Sequence, residues 1–460
     1  VAGLTVSGVV AVRVLAVALA AIVLGCGGAP GRIFTAPPAP GSTTAPPASP
    51  VHPTTELPAP ATATTVPPAT DSATQPPSPT DGPPQSPVAP EDVFVPIYGF
   101  PTGGAFEVTG VTTTPTGFTA VGFGGLGGED YFGRRQGMVW SSADGLNWSQ
   151  SAPPELQYVT PVGIVSLGTD VFLLGTLSIC PQIIEDTCAD APDAGNAMWR
   201  SSGDGAWQRL NVPPQLQAGF LDGMVGGAGR IAVFGATGDD AATTLLWLTA
   251  DGTNWSETAD VAGLDPITAI GLGDGGLAAL GTVRVAELES IRLVAAHSSD
   301  GTTFTPASVP ELIGATIEDV VFGPNGFAGV GYEATDDVSL SGIALQSSDG
   351  ESWTRADSSD GSFDGSGLVD VQPMSNGYVA LGFSLDEEDF TVQHGGAWIS
   401  ADGQSWRALA PLDATFTHFG ASALGPVGLV VFTADQLELD DESFSSTILG
   451  WFAPTEALIP

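Results

Sequence analysis

Short apolar runs bounded by Gly, Pro and Asn recur from about residue 91 to the end of the chain. Seven follow one approximate pattern: Gly, apolar, any, apolar, apolar, Gly, apolar. They are GFTAVGF from Gly117, DVFLLGT from Asp170, RIAVFGA from Arg230, GLAALGT from Gly276, GFAGVGY from Gly326, GYVALGF from Gly377 and GLVVFTA from Gly428. Runs of this length predict buried strands, because no stretch sustains a capped helical period over three turns. A second signature alternates with the first: Ser or Thr, any, Asp, Gly, two residues, then an aromatic. Its six copies centre on Asp144, Asp204, Asp251, Asp300, Asp349 and Asp402, and successive Asp residues lie 47 to 60 positions apart. In the copy at Asp204 the aromatic, Trp207, comes one place early.

A period near 50 residues predicts one supersecondary unit stacked repeatedly. One unit reads in full. Residues 318–322 alternate as a strand, Pro324, Asn325 and Gly326 turn, and 327–332 form a second strand. After a polar loop, 342–347 are a third strand, Asp349 and Gly350 turn the chain, and 352–355 are a fourth. Asp and Gly suit such a hairpin because both tolerate left-handed backbone. Four antiparallel strands per repeat is a propeller blade, and seven repeats fit between 91 and 460. The last repeat, STILGWFAP from Ser446, supplies a third strand without an Asp-Gly turn. Its fourth strand is expected from EDVFVPIYGF, from Glu91, which closes the ring and removes the exposed edges. The expected fold class is therefore all-β, a seven-bladed β-propeller of four-stranded antiparallel blades.

Upstream the pattern changes twice. From Ala29 to about Pro90 the chain is Pro, Ala, Thr and Ser with almost no large apolar residue. Such a segment cannot bury a core. At ~3.1 Å per residue, roughly 60 residues reach about 190 Å when extended, the length of a stalk, bare or O-glycosylated. Before it, Arg13 is followed by VLAVALAAIVL, Gly25 and Cys26. The apolar run is short for a spanning helix and reads as an export signal. Val23, Leu24, Gly25 and Cys26 resemble the lipobox of bacterial lipoproteins, which implies cleavage before Cys26 and a diacylglyceryl anchor on its sulfur. An uncleaved N-terminal anchor helix is the alternative. The expected organisation is 1–26 signal peptide with lipobox, 27–90 linker and 91–460 propeller, lipid-anchored and extracytoplasmic at the bacterial cell membrane.

Composition narrows the partners. The formal charge is −40, all 11 basic residues are Arg, and there is no Lys. This excludes nucleic acid, which needs clustered Lys and Arg, and docking on anionic lipid. It suits cations, cationic peptides or plain solubility. Cys180 and Cys188, eight apart in an exported chain, are expected to close a loop disulfide.

The Asp-Gly turns resemble the Asp-box, or BNR repeat, of sialidases, sortilin-type receptors and photosystem II assembly propellers. The resemblance covers the chain after Glu91, although here Gly follows Asp directly, where the usual box spaces them by one. In that family the box joins third and fourth strands on the face away from the ligand. This implies structural roles for Asp144, Asp204, Asp251, Asp300, Asp349 and Asp402. A sialidase also needs three Arg, a Tyr with a Glu partner and an acidic proton donor. The Phe-Arg-Ile-Pro signature is absent, Tyr332 and Tyr378 fall at packing positions, and Arg200, Arg209, Arg355 and Arg407 flank the hairpins. No catalytic or metal constellation is expected, and no Ser-His-Asp order or phosphate loop occurs. Binding is expected on the long loops between second and third strands, which carry Tyr131, Arg134, Arg135 and Asp386. Their acidic tips leave Ca²⁺ as the candidate ion, without EF-hand spacing. The expected role is a monomeric binding or assembly module for an envelope protein or glycan. A sialidase-like glycoside hydrolase and a purely structural envelope lipoprotein are the alternatives.

Overall fold

The computed structural model describes residues 93–459 except 101–104, 126–134, 178–182, 185–186, 189–194, 203–204, 238–242, 260, 265, 286–289, 335–339, 358–362, 386–392, 417 and 440–442. They form seven four-stranded antiparallel sheets, with one short hairpin pairing Ile183–Ile184 and Thr187–Cys188. The first strands of the blades are Ala105–Thr114, Val159–Leu167, Phe220–Gly227, Ile267–Gly273, Ala315–Gly323, Ser366–Met374 and His418–Gly425. Each touches the first strand of the next blade, and the seventh touches the first. They therefore ring a central channel. Helix is confined to Pro214–Ala218 and two single 3₁₀ turns among the described residues. No described helix is long and apolar enough to cross a membrane.

Ring closure follows the sequence expectation. In blade 7, Val95–Pro96 pairs with Ser443–Pro454, with Val95 opposite Phe452 and Pro96 opposite Trp451. Ile97 N–H extends the pairing to the Gly450 carbonyl at 2.8 Å. Val93, Phe94 and Ile97 are buried, while Val95 and Tyr98 face water.

The apolar residues sort into seven clusters, one at each junction between neighbouring blades. In blade 4, Leu277 and Ala279 pack on blade 3, whereas Ala278 and Leu280 pack on blade 5. A strand buried on both faces needs an unbroken apolar run, which is why the first signature lacks clean alternation.

The second signature makes the turn between third and fourth strands. In blade 5, Gly350 N–H donates to Ser347 Oγ at 2.8 Å, and Asp349 Oδ1 accepts the N–H groups of Glu351 and Ser352 at 2.9 and 3.3 Å. Trp353 is buried and donates its indole N–H to the Gly350 carbonyl at 3.1 Å. Gly350 has φ +81°, and a Cβ there would press on His297 and Ala278 of blade 4. One detail corrects the sequence reading. Only the glycines of the Asp-Gly pairs take positive φ; none of the described motif aspartates does. The Asp supplies a hydrogen-bond acceptor, and the left-handed step falls to Gly.

The turns of blades 5 and 6 also lock onto the preceding blade through backbone hydrogen bonds. Ser308, leaving blade 4, donates its N–H to Glu351 O and accepts from Trp353 N–H, both at 2.8 Å. Asp357, leaving blade 5, donates to Gln404 O in blade 6 at 3.2 Å. The motif thus joins neighbouring blades as well as folding its own hairpin.

Candidate functional site

All seven innermost strands carry a β-bulge at one equivalent place. The pairing register slips at Val108/Gly110, Pro161/Gly163, Leu221/Gly223, Ile267/Ala269, Ile317/Asp319, Leu368/Asp370 and Phe419/Ala421. The bulge pushes a carbonyl onto the second strand. In blade 5 a Cβ on Gly331 would sit 1.9 Å from the Thr316 carbonyl oxygen, so only Gly fits. Gly122, Gly175, Gly235, Gly281 and Gly382 occupy the same pairing position in five other blades. This is the late Gly of the first signature.

The residue after the bulge is Gly or Ala in five blades. In blades 5 and 6 it is Asp319 and Asp370. Asp319 Oδ1 accepts the Val320 N–H at 2.8 Å, and Oδ2 accepts the Val371 N–H of blade 6 at 3.0 Å. Asp370 repeats the device one blade on: Oδ1 accepts from Gln372 Nε2 and Oδ2 from Ser422 Oγ of blade 7, both at 2.8 Å. Two carboxylates therefore clasp blades 5, 6 and 7 at the channel wall. Glu318, the bulged residue beside Asp319, accepts a hydrogen bond from the Tyr332 hydroxyl.

Protein encloses these acids while the channel leaves each some contact with water. Burial, then the neighbouring Asp370 charge, pushes the Asp319 carboxyl up to about 8. Burial raises Asp370 and Glu318 as well. The Tyr332 phenol is held far above its ordinary value by burial and the Glu318 charge, so it stays protonated. Asp222, the bulged residue of blade 3, is exposed, yet partial burial lifts its carboxyl to about 6.

A cavity of about 370 Å³ occupies the channel. Its walls are apolar at Ile164, Val225, Leu272 and Phe322, and polar at Asp274, Asp319, Gln372 and Ser422. The lining comes from the second half of each innermost strand, which leads into the turn to strand 2. That turn lies beside the Asp-Gly hairpins, since the Asn325 side chain donates to the Ala401 carbonyl in the hairpin of blade 6 at 2.7 Å. The cavity therefore sits toward the Asp-Gly face. The sequence expectation looked to the opposite face.

Of the expected ligand-face residues, Tyr131, Arg134 and Asp386 lie outside the described residues. Arg135 stacks its guanidinium 4.5 Å from the Phe123 ring centre and donates to Thr160 Oγ1 at 3.3 Å, joining blades 1 and 2. Asp144, Asp251, Asp300, Asp349 and Asp402 stand in the turns between third and fourth strands, and Asp204 lies outside the described residues. Asp144 is depressed to about 2, chiefly by hydrogen bonds from Asn147. Cys26 and Cys180 fall outside the described residues, as does the side chain of Cys188. Among the described residues no group of three or more His, Cys, Asp or Glu is arranged to hold a metal ion.

Among the described residues, Tyr332 on the second strand of blade 5 and Glu318 on its first form a hydrogen-bonded Tyr-Glu pair, a pairing that hydrolysis of the sialidase kind would require, and neither residue lines the cavity. Tyr378 is packing, as expected: it is fully buried and its hydroxyl donates to the Gly326 carbonyl at 3.0 Å. No described Arg lies on an innermost strand. Arg355 is paired with Glu333 at 2.6 Å and Arg407 donates to the Ile459 carbonyl at 2.7 Å. Sequence reading missed Glu318, Asp319, Asp370 and Asp222. For Asp319 and Asp370 the available signal was an acid aligned with Gly or Ala in the other repeats; Glu318 and Asp222 occupy the bulged position, which holds Thr109, Val162, Thr268, Val369 and Gly420 elsewhere.

No family model matches this chain, and no curated protein matches it by sequence. Solved structures show a distant likeness to it. A protein of unknown function from Dyadobacter fermentans has 13% identity and a TM-score of 0.45, over 79% of this chain and 98% of that one. Trypanosoma rangeli sialidase in complex with sialic acid has 13% identity and a TM-score of 0.41, over 75% of this chain and 60% of that one. The β-propeller domain of the Trilobed protease from Pyrococcus furiosus has 8% identity and a TM-score of 0.46, over 75% of this chain and 93% of that one. At these identities and TM-scores the likeness carries neither fold nor substrate, and the fold rests on the sheets described above.

Proposed function

We propose that this chain is a membrane-tethered, extracytoplasmic binding or assembly module whose partner presents positive charge to the propeller channel. The anchor is lipid on Cys26, and residues 27–90 are the stalk. The observation that carries the reading is the charge of the seven innermost strands. They hold Glu107, Asp222, Glu318, Asp319 and Asp370, and no Arg or Lys. Their one His, His418, faces Glu107 at 3.4 Å. A channel whose ionisable wall groups besides His418 are all acids favours a cationic partner, which offsets the burial and mutual repulsion that raise Asp319 and holds these acids ionised. It repels the carboxylate of a sialoside, which a hydrolase of that class must grip. The Glu318–Tyr332 pair favours the hydrolase reading, but a phenol held protonated is a poor nucleophile.

The test is titration calorimetry with an Arg-rich peptide, against its Glu-rich counterpart, at low and high salt. Binding of the basic peptide alone, weakened by salt and by Asp222→Asn with Asp370→Asn, is expected. Equal indifference to both peptides, or release of sugar from fluorogenic sialosides and arabinosides, overturns the reading.

A further inference from the structure

Asp-Gly dipeptides have a chemical weakness that this chain meets repeatedly. The amide nitrogen of Gly attacks the Asp side-chain carbonyl carbon, forming a C–N bond as water leaves. The amide proton and the hydroxyl of the carboxyl, protonated by solvent when ionised, depart as that water. The resulting succinimide takes up one water at either carbonyl, which yields Asp or isoaspartate. No oxidant or cofactor is needed. Gly permits the step because it places no side chain against the attacking nitrogen. The described residues contain eight such pairs, beginning at Asp144, Asp222, Asp251, Asp274, Asp300, Asp349, Asp364 and Asp402.

The structure treats them unequally. In five, both reacting groups are tied. The Gly N–H donates to the motif hydroxyl at 2.9 Å in Gly145 and Gly252, and at 2.8 Å in Gly301, Gly350 and Gly403. The carboxylate is turned the other way. Asp144 Oδ1 accepts from the two following N–H groups at 3.0 and 2.8 Å, Asp300 Oδ1 at 2.7 and 2.8 Å, and Asp402 Oδ1 at 2.8 and 2.7 Å. Attack requires breaking both sets of bonds. These bonds also hold the acid ionised, and a carboxylate is a weak electrophile with a poor leaving group. Packing adds a third barrier, since a Cβ on Gly145 would meet Phe452 at 2.6 Å and one on Gly301 would meet Leu248 at 2.4 Å.

Two other pairs are partly held. Gly223 sits in the ladder opposite Phe234, and Gly365 N–H donates to the Leu340 carbonyl at 3.0 Å. Asp274-Gly275 differs from all of them. It is the exposed two-residue turn between Gly273 and Gly276 of blade 4. Among the described residues neither the Asp274 carboxylate nor the Gly275 N–H has a hydrogen-bond partner, and the space beside Gly275 is open.

We infer that the Ser/Thr-x-Asp-Gly turn is a chemical lock against succinimide formation, and that Asp274 is the described position where this chain converts to isoaspartate. The motif hydroxyl thereby has a second role besides closing the hairpin. Asp274 also lines the central cavity, so conversion inserts a methylene into the main chain at the channel rim.

The test follows isoaspartate by fragmentation mass spectrometry in the intact full-length chain held at neutral pH in ¹⁸O-labelled water. Conversion at Asp274 is expected to exceed that at Asp349 by about tenfold or more, the ratio matching about one hydrogen bond added to the barrier. Ser347→Ala is expected to raise conversion at Asp349 and leave Asp274 unchanged. A parallel incubation of the unmutated chain in urea removes dependence on how that variant folds. The ratio of unfolded to native rate should be large at Asp144, Asp251, Asp300, Asp349 and Asp402, and close to one at Asp274. Equal ratios at Asp274 and Asp349 overturn the inference, as does label entering Asp349 of the native chain as fast as Asp274.

Discussion

Single residues set two opposed pH responses. The turn aspartates have folded pKa values below their unfolded value of 3.8, with Asp144 near 2. Their contribution is complete above the unfolded value and is lost as pH falls through the folded one. Asp319 shifts the other way, from 3.8 up to about 8. The native chain holds its proton more tightly, so its contribution is complete below 3.8 and is lost as pH rises toward the folded value. The groups facing it are Glu318, Asp370, and the N–H groups of Val320 and Val371. Thermal midpoints should therefore peak in mild acid and decline on both sides. Asp319→Asn keeps an acceptor for Val371 and abolishes the repulsion from Asp370 and Glu318. It should flatten the decline between roughly pH 5 and pH 8, as read by calorimetry across that range; an unchanged slope would show that the clasp is not its source. Ser347, Asp349 and Gly350 were legible in sequence because their partners lie within three residues. Asp319 was not, because its partner Val371 is a whole blade away.

At the level of the element, the bulge explains a pattern that sequence exposes without its cause. The late Gly of the first signature reads as strand punctuation, yet Gly331 is required by a carbonyl pressed against it from the neighbouring strand. A bulge has no local signature in residues such as 315–319, so the reason becomes visible only when the two strands are paired. Blade 7 supports the account by reversing it. Thr433 stands at the Gly position opposite Phe419, and the bulged residue is Gly420. Gly331→Ala should cost about 3 kcal/mol, the upper end for overpacking a core, because backbone and not a flexible side chain must yield. Urea unfolding reads it directly. A loss under about 1 kcal/mol, typical of a well-tolerated swap, would mean that the bulge relaxes freely. The same substitution should leave the Asp-Gly hairpins intact, since Gly331 lies at the other end of its strand from the turn.

For the whole molecule, blade number and ring closure were legible because each blade repeats a local message. The acidity of the channel was not: it arises only where seven segments, each about 50 residues from the next, meet around one axis. Closure carries the stability of that arrangement. Without Val95–Pro96 the strand Ser443–Pro454 would expose an unpaired edge, and blade 7 would lose the buried Val93, Phe94 and Ile97. A chain starting at Gly99 should therefore unfold at lower urea than one starting at Glu91. Loss of Phe94 alone is comparable to truncating a core Phe, about 3–5 kcal/mol. The open edge should also pair between molecules. Size-exclusion chromatography should then show concentration-dependent association for the shorter chain and none for the longer. Identical urea midpoints for the two chains would mean that the ring holds by blade packing alone, and that the N-terminal strand decorates an edge already protected.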